Sequence, residues 1–316
     1  MTADFAARIR ERYPEGLTGV FAIGGTRVAY VLEHNREAAD PGAMNFAAYA
    51  EYLEGCYQAF VKMFLDLGGQ NAIVTVLSYL SFLEDGGRGS EYGPLVSREA
   101  LRLIDESFQA FYRENNVDPY FAGIDTLLGL PVRPESREMA ERLAEFQSGW
   151  TYREGARKVI WEVASIPLYT FRNLFRDEDM SALDAELASV ADMGQANRVL
   201  YKHIARKVYG TDVPMPHFYL GTNKSGDLKL RTPMPLALSG GEFLRVFYTP
   251  YPSLYTTPET MRRILEDLAF GKRLRSTKTD YSGIFTPELA RAEYERVHTL
   301  SGDPETTVGL SRRVTE

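Results

Sequence analysis

Two short stretches of the 316-residue chain bring together residue types that handle a phosphate ester. Gly24-Gly25-Thr26-Arg27 sets two glycines, a hydroxyl and a guanidinium directly after the apolar run Gly19–Ile23. Glycines let a backbone approach an anion closely, successive amides can point into one concavity, and arginine offers a planar fork to phosphate oxygens. The spacing is neither the GxxxxGK[ST] nor the GxGxxG pattern, so no nucleotide is specified, and an ordinary strand-ending turn has the same composition. The second stretch, Glu84-Asp85-Gly86-Gly87-Arg88-Gly89-Ser90-Glu91-Tyr92, follows the run Ala72–Ser78. Glu84 and Asp85 could ligate a hard cation, Arg88 could hold phosphate, and Tyr92 adds a phenol. Its competing reading is a solvated loop.

Between these stretches lies an apolar stripe. Phe46, Tyr49, Leu53, Tyr57, Phe60, Phe64 and Leu67 recur at steps of three and four, predicting an amphipathic helix over about 44–67 that Gly68-Gly69 ends. Such a face is ordinarily core, and the alternative is the wall of a tunnel for a greasy ligand. Tyr49, near the start, is the expected exception, because a buried phenol needs a hydrogen-bond partner.

Other chemistries lack support. His34, His203, His217 and His298 form no HxxxH or HExxH pair, and no GxSxG elbow occurs. Cys56 is the only cysteine, which excludes a disulfide framework and a four-cysteine zinc site and fits a reducing cytosol. A net charge of -7 argues against a general nucleic-acid binder. Arg262-Arg263 and the Lys272-Arg273-Leu274-Arg275 cluster read as solvated faces. The longest apolar stretch, about 72–83, falls short of the ~20 residues a membrane helix needs, and the first residues lack a secretory signal's apolar core. A cytoplasmic protein is expected.

The elements that must position these residues are legible as layers. Strands are predicted at Gly19–Ile23, Ala72–Ser78, Pro119–Ile124, Lys158–Val163, His217–Leu220 and Leu244–Thr249. Helices are predicted over Arg98–Asn115, with Ser97 as cap, and over Arg137–Phe146. A helical hairpin follows over Asp177–Tyr209. Thr257-Pro258-Glu259 and Thr286-Pro287-Glu288 start two further helices. Alternating strands and helices imply an α/β fold, a mainly parallel sheet with helices on both faces, and no linker divides residues 1–316 into separate domains. Ligands in such folds sit in the loops beyond the strands' carboxyl ends, which is where GGTR and EDGGRGSEY fall.

Tyr251–Leu268 (YPSLYTTPETMRRILEDL) and the following KTDYSGIFTPEL resemble the C-terminal part of the tuberculosinol synthase-like enzymes (tuberculosinyl adenosine transferases), members of the cis-prenyltransferase family. VFAIGGTRVAYVLEHN at Val20–Asn35, the helix end KMFLDLGG and the loop end RGSEY match in place and character. The likeness is patchy and weakest between about Pro134 and Val213. It implies a twisted, six-stranded, mainly parallel sheet, usually in a homodimer. It also implies an enzyme that strips diphosphate from an allylic prenyl substrate, of diterpenyl size in the named branch, with water or another nucleophile capturing the cation.

On that resemblance Gly25, Thr26 and Arg27 fall on the diphosphate-binding loop and Tyr49 and Tyr92 on two tyrosines important for the reaction. From their own chemistry Gly24 and Arg88 are further substrate-binding candidates, and Arg27, with Tyr49 and Tyr92, is a catalytic one. Mg²⁺ is the expected ion on the diphosphate, with Glu84 or Asp85 as a replacement ligand for the family carboxylate, since hard cations prefer oxygen. The family carries an aspartate where this chain has Gly24, and an arginine where it has Val28. The arginine-and-serine set that holds isopentenyl diphosphate is not recognisable in GTNKSGDLKLRTP. A terminal reaction giving an alcohol, hydrocarbon, cyclised product or adduct is therefore expected rather than chain elongation. The alternative is a non-catalytic prenyl-lipid-binding or partner subunit of the same fold.

Overall fold

In a computed structural model, residues 2–35, 45–82, 96–176, 179–222, 230–239, 244–271 and 286–303 are described. Six strands form one fully parallel sheet: β1 (Thr18–Phe21), β2 (Asn71–Leu77), β3 (Val117–Ala122), β4 (Arg157–Val163), β5 (Phe218–Thr222) and β6 (Arg245–Thr249). Their spatial order is β3-β4-β2-β1-β5-β6, so β1 and β2 are central neighbours and the loops after them emerge side by side. All six runs read from sequence overlap their strands to within two residues at each end; Ile23, at the end of the first run, lies beyond β1 and belongs to the loop that follows.

Residues alternate between two cores, as the period of a strand requires. Phe21, Val74, Trp161, Phe218 and Leu220 face one core with α1 (Thr2–Arg12), α3 (Phe46–Asp66), α5 (Glu106–Glu114), α7 (Pro134–Gly149) and α12 (Pro258–Phe270). Val20, Ile73, Ile160 and Tyr219 face the other, covered by α10 (Met193–Tyr209) and α11 (Pro233–Ser239). Cover on both faces over β1 to β5 explains why these strands read as near-continuous apolar runs, whereas the edge strand β6 is only half-buried.

The amphipathic stripe forms α3 as predicted, capped by Asn45, whose side chain accepts from the Ala47 and Ala48 amides, and closed by Gly68 at φ 106°. Thr257 caps α12 by accepting from the Thr260 amide. The helix predicted over Arg98–Asn115 is not continuous. A helical segment over 96–101, here α4, passes through a tight turn at Arg102–Ile104, and Asp105 turns extended and caps α5 through the Phe108 amide. An aspartate that bonds a backbone amide two or three residues on competes with helix continuation, which is why the pattern breaks here. Ser97 is no cap: it lies inside α4, and its hydroxyl meets Ser136 Oγ at 3.2 Å.

At the far end of β3, buried Asp118 gathers four donors: Arg153 N at 2.7 Å, Nε at 3.1 Å and Nη2 at 2.9 Å, and Trp150 Nε1 at 3.1 Å. This carboxylate ties the chain after α7 back to the sheet. Removing the buried acceptor leaves its donors, the Trp150 indole and the Arg153 amide among them, without their partner, so Asp118→Ala is expected to lower unfolding free energy by about 2–3 kcal/mol in urea denaturation.

Candidate active site

After β1 the chain leaves the sheet through Ala22 and Ile23 and turns at Gly24-Gly25. Gly25 adopts φ 74°, ψ 15°, and a Cβ there would lie 3.1 Å from Pro252 Cα. Left-handed backbone and a close neighbour together demand glycine. The turn is held from the C-terminal block: Gly24 N–H donates to Ser253 Oγ at 3.1 Å, and Ser253 N–H donates to the Gly24 carbonyl at 3.0 Å. Ser253 Oγ also shares a short hydrogen bond with Thr222 Oγ1 at the end of β5. α2 (Thr26–Tyr30) begins immediately, so its first-turn amides, which have no carbonyl partner within the helix, come at the strand end.

Thr26 Oγ1 and Tyr49 Oη are 2.6 Å apart, joining α2 to α3. Burial raises the Tyr49 pKa above its usual 10; the Thr26 hydrogen bond and the Arg27 charge oppose that, and Glu99 adds to it. The phenol is thus neutral across the physiological range, available as a donor. It has the partner that its position in the stripe requires.

These groups open on a cavity of about 160 Å³. Thr26, Arg27 and Tyr49 form one side, and Leu53, Tyr57, Leu77, Val96, Leu103 and Phe108 form apolar wall. Glu99 and the pair Glu54–Arg102, joined at 2.8 Å, add charge to the lining. Burial pushes the Glu99 pKa up to about 7, with Arg27 and Arg102 pulling the other way. The stripe therefore divides: Tyr49, Leu53 and Tyr57 line the cavity, whereas Phe60 and Phe64 pack edge-on against Phe21 as core, at centroid distances of 5.2 and 4.9 Å.

Gly24, Gly25, Thr26, Arg27 and Tyr49 thus converge at one strand end. Glu84, Asp85, Arg88 and Tyr92 lie outside the described residues. Three contributors escaped the sequence reading. Ser253 sat unnoticed within YPSLYTTPETMRRILEDL. Glu99 had a signal: it falls between Val96 and Leu103 on an otherwise apolar helical face. Arg231 belongs to GTNKSGDLKLRTP after β5, where no phosphate-binding set was recognised; its Nη1 lies 3.6 Å from where a Gly24 Cβ would stand. A second guanidinium therefore reaches the β1 strand end.

That geometry does not fit Mg²⁺ at Gly24. A hard cation needs oxygen ligands, and here the side-chain position is empty beside a guanidinium. Among the described residues no three His, Cys, Asp or Glu side chains converge on one point.

No protein-family model matches the chain, and no curated protein matches it by sequence. Solved structures do. Lavandulyl diphosphate synthase from Lavandula x intermedia, in complex with dimethylallyl diphosphate, is similar at 12% identity and TM-score 0.50, over 83% of this chain and 97% of its own. A probable undecaprenyl diphosphate synthase from Campylobacter jejuni is similar at 13% identity and TM-score 0.45, over 81% and 96%. The chain has the α/β fold of the cis-prenyltransferases, as the resemblance implies. Among the described residues no helix is long and apolar enough to cross a membrane.

The two adjacent glycines should behave oppositely. At Gly24, where φ is not left-handed and a Cβ meets only ordinary contacts at 3.5–3.9 Å, alanine is expected to leave stability unchanged or raise it by up to about 1 kcal/mol. Gly25→Ala is expected to cost more than about 1 kcal/mol. Thermal unfolding of the two variants checks the contrast.

Proposed function

We propose that this protein ionises an allylic prenyl diphosphate, releases pyrophosphate and ends the reaction by quenching the cation, without chain elongation, in the manner of the tuberculosinol synthase-like branch. The observation that carries the reading is the Gly25-Thr26-Arg27 turn opening directly on a cavity with apolar walls. An anion grip and an apolar chamber in contact are what an amphiphile with a diphosphate head requires.

Ionisation builds negative charge on the departing diphosphate, so groups fixed in place beforehand lower the barrier most. The first-turn amides of α2 and the guanidinium groups of Arg27 and Arg231 serve that role. Tyr49, kept neutral, donates a hydrogen bond at the same place and presents a ring face to the allylic cation. Tyr92 is the second phenol of this proposal. Because the described residues do not form a Mg²⁺ site at Gly24, the two arginines meet the diphosphate charge there. The ion and the ligands Glu84 and Asp85 stay outside the mechanism.

Chamber size bears on the substrate. A cavity of about 150 Å³ takes a benzene-sized molecule, so 160 Å³ accommodates about one isoprene unit beside the head. Tails of ten or more carbons need the wall at Val96, Leu103 and Phe108 to yield. The expected homodimer is tested by sedimentation.

Purified protein given five-, ten-, fifteen- and twenty-carbon allylic diphosphates, with Mg²⁺ or with chelator, is expected to release intact pyrophosphate and an extractable terpenoid. Arg27→Ala should lower kcat/KM by about a hundredfold or more, as removal of one fixed donor to a developing anion does. Binding of every diphosphate without pyrophosphate release would favour the non-catalytic lipid-binding or partner role, and stepwise phosphate release a phosphatase. Gly24→Asp places a carboxylate against Arg231, and is expected to weaken inorganic pyrophosphate binding at least tenfold by calorimetry.

A further inference from the structure

Resting on the ionisation reading, we propose that Glu99 is the base of the quenching step, its carboxylate taking a proton from the water that captures the allylic cation.

Position is the first support. Glu99 is half-buried on α4, flanked by the buried Val96 and Leu103, and lines the same cavity as Thr26, Arg27 and Tyr49. A glutamate on the apolar face of a short helix costs desolvation that a leucine would not, so its presence asks for a role. Its surroundings are the second support. The groups facing it are Arg27 from α2, Tyr49 and Tyr57 from α3, and Arg102 just beyond its own helix. Arg102 is already engaged by Glu54 at 2.8 Å. Glu99 itself makes no hydrogen bond or ion pair among the described residues. A carboxylate in a cavity, partly compensated but unpaired, can take a proton; one locked in a bidentate pair cannot.

Bond by bond, the C1–O bond of the substrate breaks and its electron pair leaves with pyrophosphate. A lone pair of a water in the cavity then forms the new C–O bond, and that water's proton passes to the Glu99 carboxylate, giving a prenyl alcohol. Glu99 returns the proton to solvent or to pyrophosphate as products depart. The burial that raises its pKa to about 7 places this group where a base can both accept and release a proton near neutrality. Since only the ionised form accepts, kcat/KM for alcohol formation, which reports the free protein, should rise with pH through about 7 and then level off.

The test uses the full chain and a prenyl diphosphate labelled with ¹⁸O at the bridging position. Glu99→Gln is expected to bind inorganic pyrophosphate at least as tightly as the unsubstituted protein, because a neutral side chain no longer competes for Arg27. Its rate of alcohol formation should fall by about a hundredfold and the acidic limb of the pH profile should vanish. An unquenched cation recombines with pyrophosphate, so the bridging label should scramble faster in recovered substrate relative to product. A merely structural role would not raise that ratio. Wild-type alcohol rate, pH profile and scrambling in Glu99→Gln would overturn the assignment while leaving ionisation intact. So would a product that takes no oxygen from ¹⁸O-labelled water. Absence of pyrophosphate release by the unsubstituted protein would overturn the ionisation reading itself. Should the variant fail to fold, a flat wild-type alcohol profile from pH 5.5 to 8.5 would overturn the role of Glu99 alone.

Discussion

Everything at the strand end depends on one residue being able to turn left. Gly25 reverses the chain between β1 and α2 in a left-handed conformation that strains any side chain, and Pro252, 3.1 Å from where a Cβ would stand, adds to that strain. Ser253 then fixes the turn with two hydrogen bonds to Gly24 and a third contact to Thr222. The loop is thereby a fixture of three strand ends rather than a free excursion. Thr26 can reach Tyr49 and Arg27 can line the cavity only because α2 starts at that residue. A turn with two rotatable alternatives would scatter these groups, and preorganisation of charge would be lost with it.

The sheet was the most legible part. Strands buried on both faces appear as short β-branched runs, and six such runs separated by helical periods admit few arrangements other than a parallel α/β sheet. The stripe from Tyr49 to Phe64 was legible as a helix, but its division into cavity wall and core was not. That division depends on how far α3 projects past the end of β1, which is set by packing. Short helices such as α2 and α11 carry too few turns to show a period. The break at Asp105 was concealed because its neighbours on both sides keep helical spacing.

The site residues divide by distance along the chain. Gly24 to Arg27 are contiguous and announce themselves, whereas Arg231 and Ser253 reach the same point from loops after β5 and β6. The rule that ligands gather beyond strand ends directs attention to those loops, and Arg231 obeys it. What concealed it was the expectation of a fixed arginine-and-serine spacing. Spatial convergence places no such demand on sequence, since Arg231 is held locally by its own backbone N–H donating to Tyr219 Oη at 3.1 Å.

Charge around the cavity explains why an unpaired carboxylate can persist there. Three guanidinium groups, Arg27, Arg102 and Arg231, approach the cavity and its strand end, against Glu54 and Glu99. Among the described residues guanidinium groups thus outnumber carboxylates around this strand end, and Glu54 already holds Arg102. An arriving diphosphate would draw Arg27 and Arg231 toward itself and weaken the compensation that Glu99 receives from Arg27. Less compensation raises the proton affinity of the carboxylate, so with diphosphate bound Glu99 would ionise at a higher pH than in the empty cavity, and its ionised fraction near neutrality would fall.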